Sequence, residues 1–379
     1  MKRVNPFVTK GYVSAELFCD REKEIKVLKS NVRNSINTTL ISVRRMGKTG
    51  LIYRFFDEIN AKNNNFITIY VDIFSARSLD DFVKLLAEAI LKFYPEKTSF
   101  GQIFMKFIKG LRPLISYNGI TGEPQIQIIY QTSYEKEATL RNLFEFLERQ
   151  DKKIILAIDE FQQITEFSQK NIEALLRTYI QPLNNIDFIF CGSQKTMMLD
   201  IFSNAKRPFF GMTQYLHLDR IDEDKYLKFI KKLFSVNNKN IETQDIQFIL
   251  EWTNRHTYYT QSLCNEVYNI SSKNIDINKI KEACAHILIH NEPIYLQYRQ
   301  LLTSAQWNFL IAVAKEEKVT QITAQNFISK YNIGSPANAK RICKALVDKD
   351  LLFANADFKA ITYQVQDVFL MRWLQSKFS

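Results

Sequence analysis

Five short apolar runs, separated by stretches of helical periodicity, constrain this chain more than any other feature. They lie at 37–43, 66–74, 153–158, 187–191 and 214–218. The run at 66–74 is nearly continuous in apolar and β-branched residues, as in a strand buried on both faces, where neither side meets water. Helical patterns follow, at 49–59 and 79–93 among others. Strands alternating with helices are the signature of an open parallel sheet covered on both faces. Between the second and third runs, turn signals at Tyr117-Asn118-Gly119 and Thr121-Gly122-Glu123-Pro124 precede an alternating 125–129. That pattern predicts a helix and a hairpin added to the periphery of the sheet.

Beyond Leu218 the character changes. From 222 to about 298 the periodicity is helical throughout, with Asp222 and Thr243 as expected N-caps. From 301 onward come three short helical patterns and then an alternating tail. A turn at 332–336, containing Gly334 and Pro336, separates helical stretches at 324–331 and 337–349. Helix, tight turn, helix is the helix-turn-helix arrangement, and 351–365 reads as a β-hairpin wing behind it. A chain of 379 residues exceeds one ordinary core. The expected division is an α/β domain over 1–220, an all-α lid over 221–298 and a winged helix-turn-helix domain over 299–379.

The five cysteines are scattered without a CxxC spacing, against a disulfide framework or a zinc site and in keeping with a reducing cytoplasm. The N-terminus continues polar after Met-Lys-Arg, and no apolar run approaches the length of a membrane span. A cytoplasmic protein with no membrane partner is expected. The net charge of +11 favours polyanionic partners. The abundance of Lys and Asn that an AT-rich genome imposes accounts for the same excess. His286 and His290 stand four apart on a helical pattern but lack an acidic or cysteine companion, so a packed helix is the better reading.

The segment Ser42-Val43-Arg44-Arg45-Met46-Gly47-Lys48-Thr49 fits GxxxxGK[ST] with Ser42 in place of the first glycine. A strand precedes it and a helix follows, which is the context such a loop requires. Backbone N–H groups of Ser42 through Gly50 are then available to phosphates, with Gly47 allowing close approach. Lys48 supplies a cation to the β- and γ-phosphates and Thr49 a hydroxyl to Mg²⁺. The run 153–158 ends in Asp159-Glu160, an acidic pair at the C-terminal end of a buried strand, where open α/β sheets bind ligands. Asp159 is the expected Mg²⁺ partner through water, and Glu160 the group that orients or deprotonates an attacking water.

These residues resemble the archaeal-type ATPase family, a branch of the AAA+/STAND class of P-loop NTPases. The likeness runs over nearly the whole chain. Asn5-Pro6-Phe7 and Phe18-Cys19-Asp20-Arg21-Glu22-Lys23-Glu24 are similar to a family box that helps frame the adenine, which brings in Arg21. The double arginine Arg44-Arg45 matches the family's phosphate loop, and Ile158-Asp159-Glu160-Phe161-Gln162 matches its Walker B motif. Cys191-Gly192-Ser193-Gln194 is similar to sensor 1, which implies that Ser193 touches the γ-phosphate or the attacking water. Two departures stand out. Pro208-Phe209-Phe210-Gly211-Met212 lacks the arginine that family members carry at Met212, leaving Arg207 as a nearby substitute or a solvated side chain. The lid motif Gly-x-Pro-Tyr-Tyr survives in 255–259 only in its tyrosines.

The resemblance implies an α/β P-loop NTPase, an αβα sandwich with a parallel sheet, that binds ATP and Mg²⁺ and acts as a nucleotide-dependent switch. Lys340, Arg341 and Lys344, close together on the second helix of the helix-turn-helix, imply a phosphate contact with double-stranded DNA. The rival expectation is a non-catalytic nucleotide-binding scaffold whose winged helix docks a protein. Loss of the arginine at Met212 makes a ring assembly less expected than a monomer or dimer.

Overall fold

The computed structural model describes residues 5–62, 65–109, 113–128, 133–169, 171–236, 238–356 and 360–378. The chain forms two compact units, Gly11–Arg220 and a second made of Ile221–Ser379 with the N-terminal segment through Lys10.

The first unit runs α1 (Glu22–Arg33), β1 (Thr38–Ile41), α2 (Lys48–Lys62), β2 (Phe66–Asp72), α3 (Leu79–Phe93), α4 (Ser99–Lys109), β3 (Pro113–Tyr117), β4 (Pro124–Ile128), α5 (Ser133–Glu148), β5 (Lys153–Asp159), α6 (Ile172–Ile180), β6 (Ile186–Gly192), α7 (Lys195–Ser203) and β7 (Gln214–His217). Five of these strands form one sheet in the order β2-β5-β6-β1-β7, with every pairing parallel. The continuous apolar runs resolve into two alternating sets. Ile154, Leu156 and Ile158 of β5 join Phe188 and Phe190 of β6 in a core under α3 and α5. Ile155, Ala157, Ile189 and Cys191 point the other way, into a core with α1 and α2. Both faces are covered, as the sequence pattern required.

The hairpin β3–β4 pairs only with itself. It was expected at the sheet's periphery and instead rests on α3, where the Ile126 amide donates to Glu88 Oε1 at 2.8 Å and the Ile126 side chain is fully buried. One apolar side chain and one half-buried carboxylate acceptor decide its location, and turn chemistry carries no information about either.

The second unit contains α8 (Glu223–Ser235), β8 (Asn240–Ile241), α9 (Thr243–Trp252), α10 (Thr257–Ile270), β9 (Asn274–Ile275), α11 (Ile277–Leu301), α12 (Ser304–Glu316), α13 (Gln325–Lys330), α14 (Pro336–Asp348), β10 (Leu352–Ala356), β11 (Ile361–Val365) and α15 (Val368–Lys377). Asp222 caps α8 by accepting from the Lys225 amide. Thr243 is not an N-cap: it is the first residue of α9, and Glu242 holds the cap position. The stretch from 222 to 298 is not helical throughout either, because β8 and β9 form a short parallel pair. The wing is an antiparallel β10–β11 pair; the residues at its tip, 357–359, lie outside those described. Past it comes a helix, α15, capped by Asp367, which accepts from the Leu370 amide.

One 25-residue helix, α11, runs through position 298, so no break in the chain marks the expected division between lid and winged helix. The two parts are joined by side chains as well. Phe369 of α15 packs on Tyr259 and Trp252, with ring centroids 4.7 and 5.6 Å apart. Arg372 donates to the carbonyls of Trp252 at 2.9 Å and Glu251 at 3.1 Å, and pairs with Glu317. A cation on the last carbonyls of α9 satisfies groups that a helix leaves unpaired and opposes its dipole. All described cysteines are free and buried. Among the described residues no helix is long and apolar enough to cross a membrane.

Candidate nucleotide-binding site

The site lies where β1, β5 and β6 end. Ile41 sits in register with Gly192, and Asp72 with Asp159. The loop after β1 therefore opens beside the ends of β6 and β5, at the point where the strand order reverses. Arg45 and Gly47 both take left-handed backbone conformations, φ 63° and 95°, and α2 begins at Lys48. Glycine reaches that region without steric cost, so Gly47 is where a side chain would be least tolerated. The Lys48 side chain is 7% exposed. Ser42 is buried, and its hydroxyl donates to the Val43 carbonyl at 2.9 Å, which occupies the polar group that stands where the motif has glycine. A methyl at Gly50 would meet the Phe18 ring at 3.2 Å.

The two halves of the motif meet. Thr49 Oγ1 donates to Asp159 Oδ2 at 3.1 Å, and the Tyr70 hydroxyl donates to the same oxygen at 2.7 Å. Asp159 Oδ1 accepts from the Glu160 amide at 2.9 Å. Glu160 itself is left-handed, with φ 56°, a strained state for a residue with a Cβ. Phe161 holds that turn: it is fully buried, 4.5 Å from the Phe190 ring and 5.3 Å from Phe209. Glu160 Oε2 accepts from Ser193 Oγ at 2.7 Å and from Gln162 Nε2 at 2.5 Å, while Arg44 Nε donates to Ser193 Oγ at 3.4 Å.

Three carboxylates, Asp72, Asp159 and Glu160, thus crowd one sheet edge. Asp72 is exposed at the end of β2, yet partial desolvation of its carboxyl pushes it up against the pull of its bond from the Phe74 amide, and Asp159 and Glu160 push it further. Burial, with Asp159 beside it, also raises the Tyr70 phenol, which stays a neutral donor. The Cys191 thiol behind the site is raised by complete burial and remains inert. A hard divalent cation takes oxygen ligands, and the hydroxyl of Thr49 and the carboxylate of Asp159 are the pair that could supply them. Among the described residues no group of three His, Cys, Asp or Glu side chains is placed to hold a metal ion by itself.

Other expected participants are engaged in contacts of their own. Arg21 is 4% exposed, paired with Glu24 at 3.0 Å and donating to the Asp219 carbonyl at 2.6 Å. Its guanidinium ties the N-terminal box to the segment after β7. Arg207 is half-exposed and already engaged, bridging Glu173 at 2.7 Å and Asp200 at 3.3 Å. Met212 packs on the core. His286 pairs with Glu266 at 3.2 Å on an exposed surface, not within a packed helix face. Tyr70 and Gln162 were missed as polar partners of the acidic pair. Period-2 alternation along β2 would have placed Tyr70 on the face toward α2, whereas Gln162 falls within the Walker B match but nothing in that motif assigns it a bond to Glu160.

Known proteins resemble this chain in sequence and in fold. The family "ATPase domain predominantly from Archaea" matches residues 18–261. The chain belongs to this ATPase family. Its fold is that of the P-loop NTPases, with a "Probable winged helix domain" matched over 293–376. An uncharacterized ATP-binding protein of Methanocaldococcus jannaschii is 25% identical over 373 residues, covering 89% of this chain and 94% of the relative. The Walker-type ATPase of Pyrococcus abyssi superposes with a TM-score of 0.66 at 19% identity, over 98% of this chain and 99% of that one. The ORC2 protein of Aeropyrum pernix gives 0.60 at 14% identity, over 100% and 99%.

Proposed function

We propose that this chain binds ATP with Mg²⁺, hydrolyses it as a nucleotide-dependent switch, and contacts double-stranded DNA through its winged helix. One observation carries the nucleotide reading: the phosphate loop and the acidic strand end are joined side chain to side chain, Thr49 to Asp159 and Arg44 through Ser193 to Glu160. Family membership and the ATP-binding relative support it. Backbone N–H groups of Ser42 through Gly50, including those of Arg44, Arg45, Met46 and Gly47, receive the phosphates, and Lys48 neutralises the β- and γ-oxygens. Thr49 and Asp159 would hold Mg²⁺, which offsets phosphate charge. Glu160, aligned by Ser193, takes a proton from the water that attacks the γ-phosphorus as the bond to the bridging oxygen breaks, giving ADP and phosphate. Arg21 acts indirectly, by fixing the box beside the nucleotide base.

For DNA the support is the exposed trio Lys340, Arg341 and Lys344 on α14, together with the net charge of +11. A second reading, in which nucleotide is structural and the winged helix docks a protein, is favoured by the engagement of Arg207, since no arginine finger is then supplied from that loop. Assembly as a monomer or dimer, and not a closed ring, agrees with the same observation. Turnover of ATP by the whole chain decides between them, measured for Lys48→Ala and Glu160→Gln with and without duplex DNA. Turnover abolished in both variants and raised by DNA supports the switch. ATP binding without turnover, indifferent to DNA, supports the scaffold.

A further inference from the structure

Gln162 is 4% exposed, and its amide is only half satisfied. Nε2 donates to Glu160 Oε2 at 2.5 Å, while Oε1 is buried without a hydrogen-bond partner. The amide cannot turn over to relieve this, because a carboxylate is an acceptor only and would then face another acceptor. A buried carbonyl left unpaired opposes stability, so packing alone would favour an apolar side chain of the same length. Space has also been left for it. A methyl built on Gly192 would lie 2.4 Å from Gln162 Oε1 and 2.4 Å from Met198 Cγ. Its backbone is not left-handed, so the absence of a Cβ answers a demand of space and not of conformation.

The consequence falls on Glu160. Both of its hydrogen bonds, from Ser193 and from Gln162, converge on Oε2. Among the described residues Oε1 accepts none, and it remains for an incoming water. A residue whose own backbone is strained needs such side-chain constraint to keep one rotamer. We infer that Gln162 is a positioning residue for hydrolysis: together with Ser193 it saturates one oxygen of Glu160 and so aims the other at the attacking water. This rests on the reading of Glu160 as the group that activates water.

The test is steady-state ATP turnover, ATP affinity and thermal unfolding of the whole chain carrying Gln162→Met, with Glu160→Gln in parallel. Methionine keeps the length and removes both the donor and the unpaired carbonyl. The expected result is a kcat lower by roughly 10- to 100-fold, the scale on which misalignment of a reacting group acts, with KM and ATP affinity unchanged and a melting temperature equal or higher. A kcat equal to the parent's overturns the inference, as does a fall in kcat accompanied by equal losses of affinity and melting temperature, which would make Gln162 merely structural. Parent-like turnover in Glu160→Gln overturns the reading beneath it, and is distinguished because that variant leaves Gln162 untouched.

Discussion

At the scale of single residues, the informative positions are those that break a local rule. Asp72 is one. Although it is exposed at the end of β2, partial desolvation of its carboxyl and the neighbouring Asp159 and Glu160 carboxylates hold it above its ordinary value, about 3.9 for an aspartate. Folding then disfavours its ionised form. The resulting penalty is absent below the ordinary value, grows as pH rises through the raised one and is complete above it. Asp72→Asn keeps the side-chain oxygen that accepts from the Phe74 amide and removes the charge. The nucleotide-free variant is therefore expected to melt higher than the parent at pH 8, with the difference vanishing near the acid end of a pH series; a gap independent of pH would refute the electrostatic cause. Arg255 is the second such position. It stands where the lid motif has glycine, and its φ of 52° follows one of 53° at Asn254. A left-handed conformation costs a residue with a Cβ roughly 1–2 kcal/mol, partly balanced by the roughly 0.5–1 kcal/mol of chain entropy that glycine loses on folding. Its ion pair with Glu223 is solvent-exposed and contributes little. Arg255→Gly is expected to stabilise the chain by at most about 1 kcal/mol, read from denaturant midpoints at unchanged slope.

At the scale of elements, legibility followed the range of the forces. The helix Leu79–Phe93 and the strand beginning at Lys153 were readable to the residue, because periodicity is encoded within the segment itself. The phosphate loop and the acidic strand end were readable because each is contiguous in sequence. The hairpin's seat on α3, the short β8–β9 pair and the two donors Tyr70 and Gln162 were not, since each depends on a partner remote in sequence or on side-chain direction. The winged helix tests the same distinction functionally. Lys340, Arg341 and Lys344 are exposed along α14, while Ala339, Ile342, Cys343 and Leu346 are buried beneath them. Replacing the three cations by glutamine touches none of the packing. If they meet DNA phosphates, log affinity against log salt should lose about one unit of slope for each cation removed, with melting temperature unaltered. A parallel loss of affinity for every duplex sequence is expected, since phosphate contacts carry no sequence information. Retention of the parent slope would assign the surface to something other than DNA.

At the scale of the whole molecule, the chain passes between its two units at Lys10–Gly11 and again at Arg220–Ile221. The N-terminal segment is anchored in the second unit by side chains. Phe7 is fully buried, with its ring 4.6 Å from that of Phe234 and 6.3 Å from that of Tyr268. Asn5 donates to the Asn265 carbonyl at 3.0 Å, and Asn265 returns a bond to the Phe7 carbonyl at 2.9 Å. Gly11, left-handed at φ 73°, begins the first unit. The family box that reaches Arg21 is thus tethered at one end to the helical unit and at the other, through Asp219, to the segment after β7. Phe7→Ala removes a core aromatic of the second unit and touches no phosphate-loop residue, and a substitution of that kind costs about 3–5 kcal/mol. Calorimetry of the full chain with and without Mg-ATP should then show the loss in a transition that nucleotide does not shift, while the nucleotide-stabilised transition keeps its midpoint. A single transition that falls as one would instead mean that the tether couples the two cores tightly enough for them to unfold together, and that a nucleotide bound in one is felt in the stability of the other.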